Sequence, residues 1–278
     1  MHALQSTGRA HHAAPTKALL PLARACRTGV LWALAVLIIM SQTGRAAEIK
    51  VLSTHAASEV LSELGPQFER TTGHRLSFSY DPANVIKRQI EGGAAFDVAI
   101  VTRQVIDDLA KQGKIVPDTR TDIGRSGLGV AVRKGALKPD ISTIEGFKRA
   151  MLSTNSVVRS TEGTSGLYFE KLLDRLGIAE DMRGKIRLGP SGFIAELVAS
   201  GEVEMAVQQI SELLPVTGAE FVGPFPPELQ LYTVFSAGVS TASKDREAAK
   251  ALINTLTAPA MVQLLKAKGL EHILGDGQ

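Results

Sequence analysis

Three stretches hold the residue types that could do chemistry in this 278-residue chain. They are "STHAAS" (53–58), "STEGTSGLY" (160–168) and "GPSGF" (189–193). Each sets hydroxyls and small residues where an apolar, strand-like run hands over to a helical pattern. At such a junction free N–H groups and the positive end of the helix dipole favour an anion. In open α/β sheets it is also where ligands bind. Thr164, Ser165 and Gly166 present N–H groups in this way, and Ser191 does the same at the third junction. The same residues also suit ordinary helix caps, and the two roles are compatible. His55 either packs locally or donates to a ligand, with a charge adjustable near neutral pH. Ser53 and Ser58 lie beside it, but no GxSxG elbow or ordered acid partner accompanies them, which disfavours a hydrolase. Arg125 and Arg159 end or precede strands; a guanidinium there is either a surface charge or a bidentate grip on a carboxylate.

The elements that must position these residues follow a βα rhythm. "IKVLS" reads as a strand, and 58–72 as a helix with Val60, Leu61, Leu64 and Phe68 on one face. "RLSFSY", a helix in "PANVIKRQIEGG", the buried strand "FDVAIVT" and the helix "RQVIDDLAKQG" continue the alternation. From "GLGVAVRKG" a second set begins, with helices in "TIEGFKRAML", "SGLYFEKLLDRLGI" and "SGFIAELVASGE" and strands in "SVVRS", "IRLG" and "VEMAVQQ". The apolar run 233–239 leads back, and helices close the chain. Alternating strands and helices argue for parallel sheets. Two sets joined by two crossings predict an α/β protein of two lobes, with a ligand cleft and a hinge between them. The first lobe is expected over 48–127 plus 238–278, the second over 130–232.

The first 46 residues differ in kind. They contain no Asp or Glu and five basic residues, and an apolar run "VLWALAVLIIM" follows Arg24 and Arg27. Gly44 and Ala46 offer small residues before a cut at Ala47, the pattern of a cleaved export signal. Eleven apolar residues are too few to span a bilayer, which takes roughly 20. Taking the five basic residues from the total of 31 leaves 26 against 28 acidic ones, a net charge of −2 after cleavage. No nucleic-acid footprint is present. The single cysteine, Cys26, precedes the apolar run, so the cleaved chain has no disulfide or thiol chemistry. Its histidines, His55, His74 and His272, are far apart in sequence. No metal or other cofactor and no enzymatic activity are expected.

The stretches "IKVLSTHAASEVLSELGPQFERTTGHRLSFSY" and "IKRQIEGGAAFDVAI", with "GEVEMAVQQISEL" later, resemble the periplasmic molybdate-binding proteins of ABC importers. The resemblance covers most of the chain after the leader. It implies a type II periplasmic binding fold and a monomeric periplasmic protein that delivers a small anion to a permease in the inner membrane. A partner for a periplasmic sensor, or an enzyme on the same scaffold, is the alternative. An ungapped match places the family's two serine donors at Ala56 and Ala83 and its tyrosine at Gln209. Its backbone donors fall at helix starts at Ser165 and Ser191. Thr54, His55, Asp81 and Asn84 stand where the site can be rebuilt. A molybdate-like oxyanion and a small organic carboxylate are both open as ligand, and the lost hydroxyls together with Arg125 favour the carboxylate.

Overall fold

The computed structural model describes residues 46–273. The leader expected over 1–46 lies outside them, save Ala46. Among the described residues, ten strands form two five-stranded sheets. The first holds β1 (Glu48–Ser53), β2 (Arg75–Tyr80), β3 (Val98–Thr102), β4 (Thr121–Ser126) and β10 (Thr233–Val239), in the order β2-β1-β3-β10-β4. The second holds β5 (Leu128–Arg133), β6 (Val157–Ser160), β7 (Ile186–Gly189), β8 (Met205–Gln209) and β9 (Ala219–Pro224), in the order β7-β6-β8-β5-β9.

Side-chain alternation along buried strands feeds helices on both faces. In β3, Val98 and Ile100 pack with Leu61, Phe68 and Leu252 from the Ser58–Thr72 and Arg246–Leu256 helices. Ala99 and Val101 point the other way, onto Ile86 and Ile90 of the Ala83–Glu91 helix and Ile106 and Leu109 of the Arg103–Lys111 helix. The second sheet repeats the plan. Leu128, Val130 and Val207 face Phe147 and Phe169, while Ala131, Val158 and Ala206 face Ile194 and Val198.

The sheets are mixed rather than parallel. β10 runs antiparallel to β3 and β4, and β5 runs antiparallel to β8 and β9. The reason is the double crossing: a chain that leaves one lobe and returns must enter each sheet against its direction. The edge strands β4 and β9 carry "TDIGRS" and "AEFVGP", too polar or glycine-broken for strand periodicity to stand out. All of β10 belongs to the first sheet, so the return crossing precedes Thr233 rather than 238. The helix expected in "SGFIAELVASGE" shrinks to the single turn Glu196–Ser200.

The two sheets share one topological device. In each, a central strand (β1 or β6) lies between the two strands reached by successive crossovers in opposite directions. The crevice at the carboxyl end of such a strand is where open α/β sheets bind ligands. Those ends are Ser53-Thr54 in the first lobe and Ser160-Thr161 in the second.

Candidate functional site

The carboxyl ends of β1 and β6 face one cavity of about 470 Å³, lined from both lobes. The first lobe supplies Thr54, His55, Asp81, Pro82, Ala83, Arg88 and Thr102. The second supplies Ser160 to Ser165, Gly189 to Gly192, and Gln208, Gln209 and Glu212.

Thr54 is held where β1 ends, its N–H donating to the Ile100 carbonyl at 2.9 Å. Its Oγ1 is buried, lines the cavity and has no hydrogen-bond partner. Ser160, at the end of β6, matches it: its Oγ is buried, lines the same cavity and is also unpartnered. A buried hydroxyl without a partner costs about 1–3 kcal/mol, so two of them on residues that line one space from opposite lobes mark a candidate place for a ligand.

The helix Thr164–Arg175 starts directly behind Ser160. Ser165 is its second residue and is buried; Thr164 and Ser165 both line the cavity. Gly166 brings the helix start against the strand, since a Cβ there would meet the Ser160 carbonyl oxygen at 2.0 Å. Ser191 also lines the cavity, but not from a helix start: 191 and 192 form a bend, and the next helical turn begins at Glu196. Gly192, with φ +105°, donates no side chain; its carbonyl accepts from Gln208 Nε2 at 2.7 Å.

His55 spans the two lobes. Its ring lies 5.6 Å from Tyr80 of its own lobe and 5.8 Å, edge-on, from Phe193 of the other. Burial holds its pKa below 6.5, against a smaller upward pull from Asp81. Across the cleft Arg88 pairs with Glu162 at 2.8 Å, with both side chains largely exposed, so the pair contributes about 0–1 kcal/mol. Asp81 accepts from Gln89 Nε2 at 2.9 Å. Glu212 follows β8, and burial pushes its carboxyl up to about 8, against smaller opposing contributions from the Gln209 backbone and the Gln208 side chain.

The folded chain therefore holds the Glu212 proton between about 4.5 and about 8, where the unfolded chain does not. That group's contribution to stability falls as pH rises through this window. His55 acts in the opposite sense, its contribution falling as pH drops below 6.5.

Of the residues expected from sequence, Thr54, His55, Ala83, Thr164, Ser165, Ser191 and Gln209 meet at the cavity. Three do not. Ala56 is buried beneath the turn in the first-lobe core, because that turn is a one-turn helix whose methyls face inward. Asn84 faces a separate groove with Lys87 and Asp108. Arg125 stands outside the cavity, paired with Glu271 at 3.0 Å and lying 4.4 Å over the Tyr232 ring. Arg159 is likewise committed, to Glu170 at 3.0 Å and to the Ser160 carbonyl. Gln209 lines the cavity yet spends its amide on the crossings. Only one orientation pairs both ends: its NH₂ donates to the Ser126 and Gly127 carbonyls at 3.0 and 3.2 Å, and its oxygen accepts from Thr233 Oγ1 at 2.8 Å. It ties the two crossing strands together.

Arg88, Ser160, Glu162, Gln208 and Glu212 were missed as site residues. Ser160 had a signal, being the last residue of an apolar run. Glu162 lies in the bend of "STEGTSGLY" ahead of the Thr164–Arg175 helix, Arg88 on the Ala83–Glu91 helix, and Gln208 and Glu212 in "QQISEL", where nothing local marks a side chain that faces across a cleft. Among the described residues no helix is long and apolar enough to cross a membrane.

The family model "Bacterial extracellular solute-binding protein" matches residues 49–271. An aconitate isomerase from Pseudomonas sp is 30% identical over 231 residues, covering 81% of this chain and 88% of the relative. The molybdate-binding protein ModA of Azotobacter vinelandii is 25% identical over 236 residues, covering 83% of this chain and 92% of the relative. The solved Azotobacter vinelandii periplasmic molybdate-binding protein superposes with a TM-score of 0.69 at 22% identity, over 81% of this chain and 99% of that one. The type II periplasmic binding fold expected from the resemblance is thereby shared. The expectation of a non-catalytic protein agrees with the family's main usage, and the isomerase relative speaks against it.

Proposed function

Because the chain belongs to the bacterial extracellular solute-binding proteins, we propose that its cleft captures a small organic polycarboxylate for delivery to an ABC permease. The observation that carries this reading is the pair of buried, unpartnered hydroxyls, Thr54 Oγ1 and Ser160 Oγ, on residues that line one cavity from opposite lobes. They offer donors to an anion together with the N–H groups that open the Thr164–Arg175 helix. Size supports a carboxylate over a tetrahedral oxyanion, since about 470 Å³ is far more than five heavy atoms fill. The alanines at the matched serine positions and the committed amide of Gln209 remove three side-chain donors that molybdate would use. The chain is exported by the leader over 1–46 and cut before Ala47, and sequencing the N-terminus of the secreted product checks this; an uncleaved cytoplasmic product would sink it.

Isothermal titration of the chain from Ala47 against tricarballylate, citrate, trans-aconitate, molybdate and sulfate tests the ligand class. At least one carboxylate is expected to bind more tightly than either oxyanion. At a hundred times its dissociation constant it should stabilise the fold by about 2.7 kcal/mol. Tight molybdate binding with no carboxylate response would overturn the reading. Arg125→Ala serves as a control with unchanged affinity.

Enzyme chemistry is the second reading, and one observation favours it. The relative named aconitate isomerase is 30% identical, and in this chain His55 and Glu212, an imidazole and a carboxyl with displaced pKa values, line one cavity. Moving a double bond along a polycarboxylate needs a proton taken beside one carboxylate and returned two carbons away, with no redox step. Proton NMR of trans-aconitate incubated with the protein separates the readings: appearance of the cis isomer supports catalysis, and an unchanged spectrum supports binding alone.

A further inference from the structure

Glu212 occupies an unusual place for an acid. It sits on the one-turn helix Ile210–Leu213, directly after β8, and is one of the residues that line the cavity. Among the described residues no ion pair includes it. The strands and the His55 turn packed around it supply no free cation, and the chain at Gly269, which meets the Ser211 backbone, carries Lys268, paired with Glu63, and the solvent-exposed Lys266. On β8 its neighbours are the amides Gln208 and Gln209; Gln208 Nε2 donates to Gly192 and Gln208 Oε1 is buried without a partner. The His55–Ala57 turn of the other lobe packs against the helix and brings His55, which burial keeps neutral above 6.5. On β5 the charge is Arg133, at the opposite end from the Leu128–Gln209 pairing, and on β9 it is Glu220, held by Lys138. Farther along the cavity wall Arg88 is paired with Glu162, and Asp81 accepts from Gln89. An ionised carboxylate facing a bound anion in that setting would repel it across a poorly solvated gap.

We propose that Glu212 enters the complex as a neutral acid and donates its proton to a ligand carboxylate oxygen, so that the cleft takes up a proton together with its anion. The proposal rests on the carboxylate reading of the same site and names the group that selects for it. It makes Glu212 a specificity-determining residue: ligands with an acceptor at that point gain a charge-assisted bond, and ligands with a donor there do not. A bound anion raises the acid's affinity for its proton further, so the free protein releases the proton at lower pH than the complex does. In that window capture of the anion draws a proton from solution, and binding weakens as pH rises.

The test has a ligand-free and a ligand-bound arm. In the ligand-free protein, carbon-13 NMR of the glutamate carboxyls should show one signal titrating near neutral to mildly basic pH, absent in Glu212→Gln. Titration within the ordinary carboxylate range would overturn the proposal. In the second arm, calorimetry of tricarballylate, trans-aconitate and molybdate is run between pH 7 and 9.5 in phosphate and Tris, whose ionisation enthalpies differ. The expected result is net proton uptake, with affinity falling about tenfold per pH unit above the midpoint. Glu212→Gln, which keeps a donor, should flatten this profile, and Glu212→Ala should weaken binding at pH 7. A pH-independent affinity, or the same slope in Glu212→Gln, overturns the proposal, as does no binding of any probe. Proton-linked binding of molybdate alone would keep the role of Glu212 and sink the carboxylate reading.

Discussion

Gly166→Ala is expected to weaken anion binding by about a hundredfold or more, roughly 2.8 kcal/mol. The added methyl would lie 2.0 Å from the Ser160 carbonyl oxygen and 2.8 Å from Ser160 Oγ. A hydroxyl can rotate away, but the carbonyl is part of β6 and cannot. The Thr164–Arg175 helix must then lift off the end of β6, which separates the N–H groups of Thr164 and Ser165 from the Ser160 hydroxyl. Those donors converge on one point only because a residue without a side chain lets the backbones touch. Overpacking of this kind also costs about 1–3 kcal/mol of stability. Calorimetry with the tightest carboxylate and a thermal melt check both effects. Gly184→Ala, where a Cβ meets nothing within 4 Å, is the control and should behave as the unaltered chain. An affinity within threefold in Gly166→Ala would mean that the helix start does not hold the anion.

Phe147→Ala should produce the largest loss of stability, about 3–5 kcal/mol, because it removes a fully buried aromatic ring and leaves a cavity. Phe147 sits at the centre of the second lobe, its ring edge-on to Phe225 at 4.7 Å, and Phe225 in turn contacts Phe169. Three aromatic rings thus join the Ile144–Ser153 helix, the Thr164–Arg175 helix and the proline-rich turn that follows β9. With a single cysteine the chain forms no internal disulfide to limit its unfolded state, so packing opposes unfolding there. Urea denaturation followed by tryptophan-independent circular dichroism is the measurement. A loss below about 1 kcal/mol would show that the lobe repacks around the void.

These two positions differ in how visible they are in sequence. Phe147 belongs to the periodic apolar face of "TIEGFKRAML" and reads as core. Gly166 reads only as one small residue among several in "STEGTSGLY"; its necessity comes from a backbone approach that no local pattern records.

The same division runs through the whole protein. By itself the sequence determined the βα rhythm, the two lobes and the junctions at Thr54, His55, Thr164 and Ser165, because each rests on a local period or cap. The tertiary structure alone decided the rest. It reversed β5 and β10 within their sheets, since strand direction is set by where the chain crosses between lobes. It turned Ala56 into the core and Asn84 into another groove, since one residue of shift in a helical turn rotates a side chain by about 100°. It bound Arg125 to Glu271 and Gln209 to the crossing strands, partners 146 residues away in the first case and on the return strand in the second. And it carried Glu212 and Ser160 to the wall that faces Thr54 and His55, a meeting that only the packing of one lobe against the other brings about.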